Sequence, residues 1–596
     1  MKNINYIKHL DGLRGIAIIF VILYHVNPKT FSGGYIGVDV FFVLSGYLIT
    51  KKLLSTEKIS VKEFYVNRFK RLYPATLFVI LLSTIVVLFI FTPSNLKDYL
   101  QSVVSTIFFS SNILFYTENS YFHTDALLKP LLHTWSLGIE EQFYIFYPLF
   151  ILKFKKRKNL ALLFLTLFSL TLSITTLPEL AKANYFLPIF RFWEIGFGCL
   201  VFTFYNKLSP ILRQKISLQY LSVITLFVCL FVFNADTSFP GINALIVVIA
   251  TCLLILLDNP DSLLYKLLTL QYLINIGKLS FSLYLVHQPI FAVYKYLFGK
   301  NLNLLSLILL IISIFYLSKF IYTNIENKYR AKQFMRKDKI LMSFLTSVLL
   351  LVGLYGQLNN GYENRIDRFQ LSSVEYSGDM SQTGMGSISN GNNQVILYGD
   401  SHAQQILKSI SQKYTVNFSI VPGCLSFETF TSSSSSNINQ ECLSQFDEYK
   451  KTQLESTKYT VFSFSWGYIK NTDQLTYLLD AINKFGKANP QNIFILVGPT
   501  PESNYEGGFL RCKLNPFTSC QNQYPIYFSK NNEINNIFEN YNFEKNIETV
   551  NLFNLFCDGN FCYEVEKGNL IYFDGSHTTN YSSDKIAQEI FKIIEN

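Results

Sequence analysis

The chain has 596 residues, of which 49% are hydrophobic and 16% aromatic, and its formal net charge is +10. Most of the basic excess lies in short loops between apolar runs, so membrane topology explains it and nucleic-acid binding is not expected. Apolar runs of bilayer-spanning length, roughly 20 residues, recur as far as about residue 355. Strand-length runs rich in Asn, Ser, Asp and Gly follow. The composition excludes a purely soluble protein and predicts a helical membrane domain followed by a soluble domain of about 200 residues.

Twelve apolar segments are candidates for membrane spans, and they begin near residues 10, 34, 75, 100, 137, 159, 187, 218, 240, 271, 303 and 340. Three basic segments should be cytoplasmic: residues 51–71 and 319–339 hold seven Lys or Arg each, and residues 153–158 hold five. An even number of crossings must separate residues 71 and 153, so we interpret the polar segment at 100–116 as re-entrant or lying on the surface. Eleven spans remain, with the N-terminus inside and the soluble domain outside. The first span lacks the cleavage site of a signal peptide.

The first span carries two ionisable residues, Arg14 and His25, in "LDGLRGIAIIFVILYHV". Their spacing of eleven residues puts them about 20° apart in azimuth and about 16 Å apart in depth on one helix face. The alternative is a snorkelling Arg and a histidine satisfied in the core, but paired intramembrane polar groups on one face indicate a site.

Further polar residues occur at matching depth in later spans and suggest a polar cavity through the bundle. They are Asp39, Glu140, Glu141, Arg191, Glu194 and His287. The loop "FYVNRFKRLYPA" adds Arg68 and Arg71 on the cytoplasmic side. These two arginines either report topology alone or form a clamp for a phosphate-bearing donor, since guanidinium groups suit phosphate oxygens.

These motifs together resemble the membrane acyltransferase family 3 proteins. The resemblance covers nearly all of residues 6–325 and rests on the Arg14–His25 spacing, "FFVLSG", "NRFKRLYPA", "LLHTWSLGIEEQFY" and "SLYLVHQP". It implies that an acyl group, usually acetyl from cytoplasmic acetyl-CoA, modifies an acceptor outside the cytoplasm. His25 is then the expected catalytic base with Arg14 as its partner, and Arg14, Arg68 and Arg71 are expected to contact the donor. We expect no metal cofactor.

The soluble domain shows five strand-like runs: Val395–Tyr398, Val416–Val421, Thr460–Phe464, Ile493–Val497 and Thr549–Leu552. Helical stretches at 403–413, 474–488 and 580–594 alternate with them, which predicts an α/β domain with a parallel sheet. Ligand sites in such folds lie at the carboxyl ends of the strands. The motif "VILYGDSHAQQ" puts Ser401 at one of these ends, where a serine nucleophile is displayed in several esterases.

A serine nucleophile needs a base and a group that orients the base. "YFDGSHTTNYS" supplies Asp574 and His577, three residues apart and close to the C-terminus. The combination resembles the SGNH hydrolase-like domain that is fused behind family 3 acyltransferases. The resemblance implies Ser401 as nucleophile, Asp574 and His577 as its partners, and the N–H groups of Gly423 and Ser401 as oxyanion donors. One departure is "FSFSWGY", where the family has an Asn and this chain has none; Trp466 there is a residue that either alters the oxyanion hole or lines the acceptor site.

Six cysteines lie in the soluble domain in short-range pairs, which suggests three disulfides and an oxidising compartment; free thiols in a cytosolic domain are the alternative. The pairs are Cys424–Cys442, Cys512–Cys520 and Cys557–Cys562. The three remaining cysteines, Cys199, Cys229 and Cys252, lie in apolar segments and are interpreted as packing residues.

The domain boundaries that we predict are residues 1–335 for the acyltransferase-like membrane domain and 394–596 for the SGNH-like domain. Residues 336–393 hold a further membrane helix and a linker or packed extension. The expected location is the bacterial inner membrane, with the N-terminus cytoplasmic and the C-terminal domain periplasmic. The expected partners are membrane lipid and a surface glycan or its lipid-linked precursor.

Three functions fit the sequence. The first is an O-acyltransferase, for groups other than aminoacyl groups, that moves acetyl across the membrane onto a surface polysaccharide such as lipopolysaccharide O-antigen. The second is a membrane-anchored glycan acetylesterase, which leaves Arg14, His25 and the buried carboxylates without a role. The third is a transporter or flippase with an outer binding domain, since intramembrane carboxylates and histidines also occur in carriers.

Overall fold

The structure is a computed structural model, and it describes residues 7–54, 60–118, 124–154, 157–212, 215–256, 259–299, 302–331, 335–369, 371, 382–390, 393–433, 440–452 and 457–596. The chain folds as two compact units, Met1–Tyr362 and Glu363–Asn596.

The regular secondary structure of the first unit is entirely helical within its described residues. Its helices are α1 Lys8–Val26, α2 Gly37–Leu54, α3 Val61–Ile90, α4 Pro93–Ile107, α5 Ser111–Thr117, α6 Thr134–Lys153, α7 Lys158–Thr176, α8 Ala181–Phe186, α9 Phe192–Leu212, α10 Ile216–Val232, α11 Gly241–Ile255, α12 Leu263–Leu268, α13 Gln271–Phe298, α14 Leu304–Ile321, α15 Asn327–Ala331 and α16 Arg336–Leu358.

A helix stands at each of the eleven positions where a span is expected, and several of these helices fit a bilayer by length and composition. Within the described residues the six that do so are Lys8–Val26, Val61–Ile90, Lys158–Thr176, Phe192–Leu212, Leu304–Ala331 and Arg336–Leu358. Two apolar helices, α10 and α11, are shorter, and α2, α6 and α13 occupy the other three positions. The helical class is confirmed, while the number of crossings stays a prediction.

The segment at 100–116 is not one continuous helix. Helix α4 ends at Ile107, Phe109 has a positive φ of 52°, and α5 begins at Ser111. Helix α4 buries one face, including Leu96, Leu100 and Val103, in a cluster that also contains Leu349 of α16. This break in the helix distinguishes the segment at 100–116 from the other candidate positions, which hold continuous helices.

Several helix pairs among the described residues approach so closely that only glycine fits between them, and α1–α13 and α2–α9 are two of these pairs. A Cβ on Gly277 of α13 would lie 1.7 Å from the carbonyl oxygen of Asp11 in α1. A Cβ on Gly198 of α9 would lie 1.9 Å from the carbonyl oxygen of Val43, and one on Gly46 of α2 would lie 1.9 Å from that of Ile195. Small residues at such crossings are how membrane helices gain van der Waals contact. The α1–α13 and α2–α9 pairs are therefore in close backbone contact.

The second unit is an α/β domain whose helices are α17 Ser401–Ser411, α18 Gln440–Thr452, α19 Thr472–Ala488, α20 Phe509–Leu514, α21 Asn532–Asn540, α22 Leu552–Phe556 and α23 Asn580–Glu595. Its strands are β1 Gly384–Ile388, β2 Gln394–Gly399, β3 Thr415–Ile420, β4 Cys424–Phe427, β5 Phe430–Ser433, β6 Tyr459–Ser463, β7 Ile493–Val497, β8 Gln523–Pro525, β9 Ile547–Val550, β10 Phe561–Tyr563, β11 Val565–Glu566 and β12 Asn569–Leu570.

The main sheet has six strands in the order β1-β3-β2-β6-β7-β9. The five predicted strands are its parallel members. The inner residues of β2, β6 and β7 are buried on both faces, as parallel strands covered by helices require, whereas the edge strand β9 exposes Glu548 and Thr549. One apolar cluster packs α17 and α23 on one face, and a second packs α18 and α19 on the other. Strand β2 is central, so Ser401 follows the carboxyl end of an interior strand.

The sheet is mixed and not purely parallel, because β1 pairs with β3 in the antiparallel direction at the edge. Strand β1 falls in the segment interpreted as a linker or packed extension. Residues 370, 372–381 and 391–392 of that segment lie outside the described residues. Three small two-stranded sheets, β4–β5, β8–β10 and β11–β12, were not predicted.

Candidate active sites

Ser401 is the first residue of α17 and follows a sharp turn at the end of β2. A Cβ on Gly399 would lie 1.9 Å from the carbonyl oxygen of Ser463, so the turn needs glycine there. The Asp400 carboxylate accepts hydrogen bonds from the N–H groups of His402 and Ser465, both at 2.8 Å. The first bond caps the helix and the second ties the turn to the segment after β6. Both hold Ser401 at the edge of the sheet.

Ser401, His577 and Asp574 form one chain of hydrogen bonds. The Ser401 Oγ lies 2.9 Å from His577 Nε2, and His577 Nδ1 lies 2.9 Å from Asp574 Oδ2. The other carboxylate oxygen of Asp574 accepts from the N–H groups of Ser576 and His577, both at 2.8 Å. This arrangement lets His577 Nε2 accept the serine proton while Asp574 fixes the ring. The structure thus brings together the three residues singled out from the sequence.

The electrostatics of the pair suit a general base. Burial works to lower the pKa of His577, but the charge of Asp574 and its hydrogen bond outweigh this and raise the pKa above its usual 6.5. Burial works to raise the pKa of Asp574, yet the His577 charge and its hydrogen bonds lower the pKa to about 2. Asp574 is therefore ionised throughout the physiological range, and His577 gains its proton more readily than a free histidine.

Two buried residues beside Ser401 were missed by the sequence reasoning. Burial raises the pKa of Asp400 to about 7, against the two hydrogen bonds that it accepts. His402 is buried with its ring centroid 5.2 Å from that of His577, and burial followed by the His577 charge lowers its pKa to about 3. His402 is therefore neutral at physiological pH. Asp400 is the middle residue of the Gly-Asp-Ser motif, and His402 directly follows that motif. Their position next to Ser401 was the signal that the sequence offered.

A cavity of about 400 Å³ opens in front of Ser401. Its polar lining comes from Ser465, Tyr468, Glu502, Lys530 and Asn531, together with His402, Ser576 and His577. Glu502 has a positive φ of 64°, an uncommon conformation for a non-glycine residue, and Asn531 Nδ2 donates to its Oε1 at 3.2 Å. The cavity can hold a polar molecule against the serine.

The structure does not put the Trp466 side chain in this cavity. Trp466 is 1% exposed, its Nε1–H donates to the carbonyl oxygen of Val497 at 3.1 Å, and its ring packs on Phe538. It is a core residue, and its neighbours Ser465 and Gly467 line the cavity instead. Gly423 lies in the turn before β4 with φ 76° and is not among the described residues that line the cavity, so its oxyanion role stays a prediction.

All three predicted disulfides are present. They join Cys424 to Cys442, Cys512 to Cys520 and Cys557 to Cys562. The three cysteines of the first unit, Cys199, Cys229 and Cys252, are free and buried, as expected for packing residues.

In the first unit, His25 lies in a group of three histidines. The His25 Nδ1 contacts the carbonyl oxygen of Val21 at 2.8 Å, which leaves Nε2 as the basic nitrogen when Nδ1 donates. Its ring centroid lies 4.9 Å from that of His287, which lies 5.3 Å from that of His133. Both ring nitrogens of His133 are buried. His133 stands in the quoted motif "LLHTWSLGIEEQFY" but was not singled out.

Arg14, Arg68 and Arg71 line one cavity of the first unit, while their contact with a donor stays a prediction. Arg14 pairs with Asp11 at 3.2 Å, and no direct contact with His25 is found within the described residues. The partnership of Arg14 with His25 that the resemblance implied therefore has no direct contact behind it and stays a prediction. The side chains lie at different depths of α1, because eleven residues of helix separate them by about 16 Å.

The Arg68 guanidinium is bound by two predicted carboxylates. It donates to Glu141 at 2.9 Å and approaches Glu140 at 3.5 Å, and it stacks 3.8 Å from the ring centroid of Tyr144. Tyr284 connects this cavity to the histidine group, since it lines the cavity and its ring centroid lies 5.4 Å from that of His287. The polar groups therefore run from the arginine cavity to His25.

Asp39, Arg191 and Glu194 form a separate buried ion group. Arg191 lies 3.2 Å from Asp39 and 2.6 Å from Glu194, and all three side chains are at most 1% exposed. Breaking one partner of such a group leaves an uncompensated buried charge, which is strongly destabilising. None of the three lines the arginine cavity among the described residues. The group fastens α2 to the start of α9.

Comparison with known proteins gives two family matches. Residues 7–323 match the profile of an acyltransferase domain, and residues 375–592 match that of the SGNH domain fused to such acyltransferase domains. The chain is 32% identical over 398 residues to the O-acetyltransferase OatA of Staphylococcus aureus, a match that covers 61% of this chain and 66% of that protein. It is 35% identical over 308 residues to the peptidoglycan O-acetyltransferase OatA of Listeria monocytogenes, covering 48% of this chain and 49% of the relative. The matched region thus spans about half to two thirds of the length of these relatives.

A solved structure, the periplasmic domain of a Salmonella lipopolysaccharide acetyltransferase, is also similar. Its identity to this chain is 20% and its TM-score is 0.29, with 35% of this chain and 86% of that domain covered.

Proposed function

Since the chain belongs to the acyltransferase family whose membrane domain is fused to an SGNH domain, we propose that it is a membrane O-acetyltransferase of a cell-surface glycan. One observation carries the proposal: the chain that holds the acyltransferase membrane unit also holds the hydrogen-bonded Ser401–His577–Asp574 group. The relatives from Staphylococcus aureus and Listeria monocytogenes are O-acetyltransferases by name, which supports the proposal.

The second unit performs the final transfer. The Ser401 Oγ attacks the acetyl carbonyl as its proton passes to His577 Nε2, and the carrier that brought the acetyl group leaves with that proton. A sugar hydroxyl then attacks the acetyl-serine and gives its proton to His577, which returns it to the Ser401 oxygen. An ester forms on the sugar, the serine ester breaks, and the enzyme is restored. Asp574 remains ionised and stabilises the imidazolium.

The first unit takes the acetyl group from acetyl-CoA in the cytoplasm. Arg14, Arg68 and Arg71 bind the phosphate groups of the donor. A hydroxyl group of the carrier attacks the thioester carbonyl and gives its proton to His25; the carrier ester forms, the thioester bond breaks, and His25 returns the proton to the departing CoA sulfur. The proposal puts the protein in the bacterial inner membrane with the N-terminus cytoplasmic and the SGNH unit periplasmic. The basic segments support this orientation, as do the disulfides, because disulfides persist in oxidising compartments.

The acceptor is a hydroxyl group of a surface glycan or of its lipid-linked precursor. The Listeria relative carries peptidoglycan in its name, which favours peptidoglycan over lipopolysaccharide O-antigen as the acceptor. A glycan acetylesterase is the second candidate, because the Ser401–His577–Asp574 geometry serves hydrolysis equally well. It ranks lower since it leaves the three histidines and the arginine cavity unused.

The test is the O-acetyl content of purified peptidoglycan and lipopolysaccharide from a deletion strain, measured by mass spectrometry after complementation. We expect the deletion to lose O-acetyl groups, the parent gene to restore them, and the His25→Ala and Ser401→Ala genes to fail at equal protein level. His9→Ala is the matched control for His25, since His9 is a buried histidine of the same helix whose Nε2 contacts the carbonyl oxygen of Ile255. Full O-acetylation with either His25→Ala or Ser401→Ala would contradict the proposal, and a rise of O-acetyl in the deletion strain would favour the esterase.

A further inference from the structure

Three exposed aromatic residues of the second unit lie on or directly after the paired strands β8 and β10. Tyr527 is 68% exposed, Phe528 is 57% exposed and Phe561 is 37% exposed. The rings of Tyr527 and Phe528 have centroids 4.5 Å apart, and Phe561 on β10 stands opposite Pro525 of β8. Among the described residues of this unit they are three of the seven large apolar side chains that are exposed. Such a concentration of exposed apolar surface marks an interaction site.

The segment that carries these rings is fixed at both ends. A short 3-10 helix spans Ile526–Phe528. The Ile526 N–H donates to the carbonyl oxygen of Asn560 at 2.8 Å, and the Ser529 hydroxyl donates to that of Pro501 at 2.5 Å. The Cys557–Cys562 disulfide closes the strand turn on the β10 side. The rings are therefore held in place before anything binds, which lowers the ordering cost of binding.

The aromatic segment runs directly into the Ser401 cavity. Lys530 and Asn531 follow it in the chain, and both line the cavity that contains Ser401. Lys530 Nζ lies 3.7 Å from Glu502 Oε2, and Asn531 Nδ2 donates to the carbonyl oxygen of Thr500 at 2.8 Å. This segment thus offers flat apolar rings and, next to them, charged and amide groups that lead to the serine.

We propose that Tyr527, Phe528 and Phe561 form a sugar-stacking platform that holds an extended glycan chain while one of its hydroxyl groups enters the cavity at Ser401. A pyranose ring has apolar C–H faces and a polar hydroxyl rim, so its face packs on aromatic rings and its rim meets Glu502, Lys530 and Asn531. The inference rests on the proposed function and specifies its acceptor as a chain of several sugars. A free monosaccharide reaches the serine but leaves the platform empty.

The platform is tested with the purified full-length protein, 4-nitrophenyl acetate as acetyl donor, and N-acetylglucosamine oligomers of one to five sugars as acceptors. Release of nitrophenol measures acylation of Ser401, and mass spectrometry measures acetylated oligomer. For the parent protein we expect the ratio of transfer to nitrophenol release to rise with acceptor length. In the Tyr527→Ala/Phe528→Ala variant we expect the ratio for the five-sugar acceptor to fall about tenfold, close to its value for the monosaccharide. Because each ratio is normalised to nitrophenol release, partial misfolding does not imitate the effect.

Two variants sharpen the result. Phe517→Ala removes a ring that is as exposed as Tyr527, at 68%, from the segment between Cys512 and Cys520. Unlike the segment of Tyr527 and Phe528, which continues into Lys530 and Asn531, that segment contributes no described residue to the cavity lining, so the variant should keep the parent length dependence. Tyr527→Trp/Phe528→Tyr keeps flat aromatic faces and should keep it as well. Unchanged length dependence in Tyr527→Ala/Phe528→Ala would overturn the platform while leaving the transferase function in place; the rings would then serve another contact, such as the lipid surface. Nitrophenol release with no transfer to any oligomer would contradict both the platform and the proposed function.

Discussion

At the scale of single residues, the Ser401 site depends on how Asp574 sets the basicity of His577. Asp574 holds the imidazole through its Oδ2 and is itself held by two backbone N–H groups. The sequence predicted the three members because their types and late Asp-x-x-His spacing are local features. It did not predict that Trp466 would be core, nor that Asp400 and His402 would be buried beside the serine, because burial depends on which strands lie next to each other.

The pH dependence of ester hydrolysis should report the Asp574–His577 pair. His577 must be neutral to accept the serine proton, so the rate should fall as the pH drops through a His577 pKa that is raised above 6.5. Asp574→Asn removes the charge that raises this pKa and leaves the burial that lowers it, so the acidic limb should move to lower pH. The plateau rate should also fall by about 10³- to 10⁴-fold, since the ring loses its orienting partner. The measurement is the rate of 4-nitrophenyl acetate hydrolysis by the full-length protein between pH 4 and 9.

Ser411→Ala is the matched control for this series, because Ser411 ends the same helix that Ser401 begins. It should keep the parent profile. An acidic limb that stays in place or moves to higher pH in Asp574→Asn would show that His577 is not the titrating base.

At the scale of elements, the membrane site depends on helix pairs that glycine brings together. Helix α2 carries Asp39 and α9 carries Glu194, and the two helices cross where Gly46 and Gly198 face the opposite backbone. The apolar runs predicted where the helices lie, because the length of each apolar run can be read from the sequence directly. They did not predict these crossings, nor the antiparallel edge strand β1 and the β8–β10 pair, because each arises between segments far apart in the chain.

Gly198→Leu should separate α2 from α9. A Cβ at residue 198 would lie 1.9 Å from the Val43 carbonyl oxygen. The free energy of unfolding should therefore fall by at least the amount typical of an overpacked core, about 1–3 kcal/mol. Moving the helices also strains the buried Asp39–Arg191–Glu194 group. We expect less protein in the monodisperse peak of size-exclusion chromatography in detergent, and a lower melting temperature. Asn206→Leu, which adds the same side chain at an exposed position of α9, should leave both unchanged; an equal loss in the two variants would refute the packing argument.

At the scale of the whole molecule, the proposed relay divides one reaction between the two units. The net reaction that the proposal requires moves an acetyl group outward: the acceptor hydroxyl would lose a proton on the outer side, and the CoA sulfur would gain one on the inner side. Each site needs its own base, which gives separate roles to His25 and His577. A function of one unit alone would leave the polar residues of the other unit without a role, whereas a relay uses the polar residues of both.

The most direct test of this relay is whether the acetyl group of acetyl-CoA appears on Ser401. Right-side-out membrane vesicles that contain the full-length protein are loaded with ¹³C-acetyl-CoA, kept free of glycan acceptor, and quenched with acid. Peptide mass spectrometry then measures the label on the Ser401 peptide. The relay predicts labelled Ser401 in the parent and His9→Ala proteins and no label in His25→Ala or Ser401→Ala. Equal labelling of Ser401 in His25→Ala, or an unlabelled Ser401 in parent vesicles that acetylate added glycan, would contradict it.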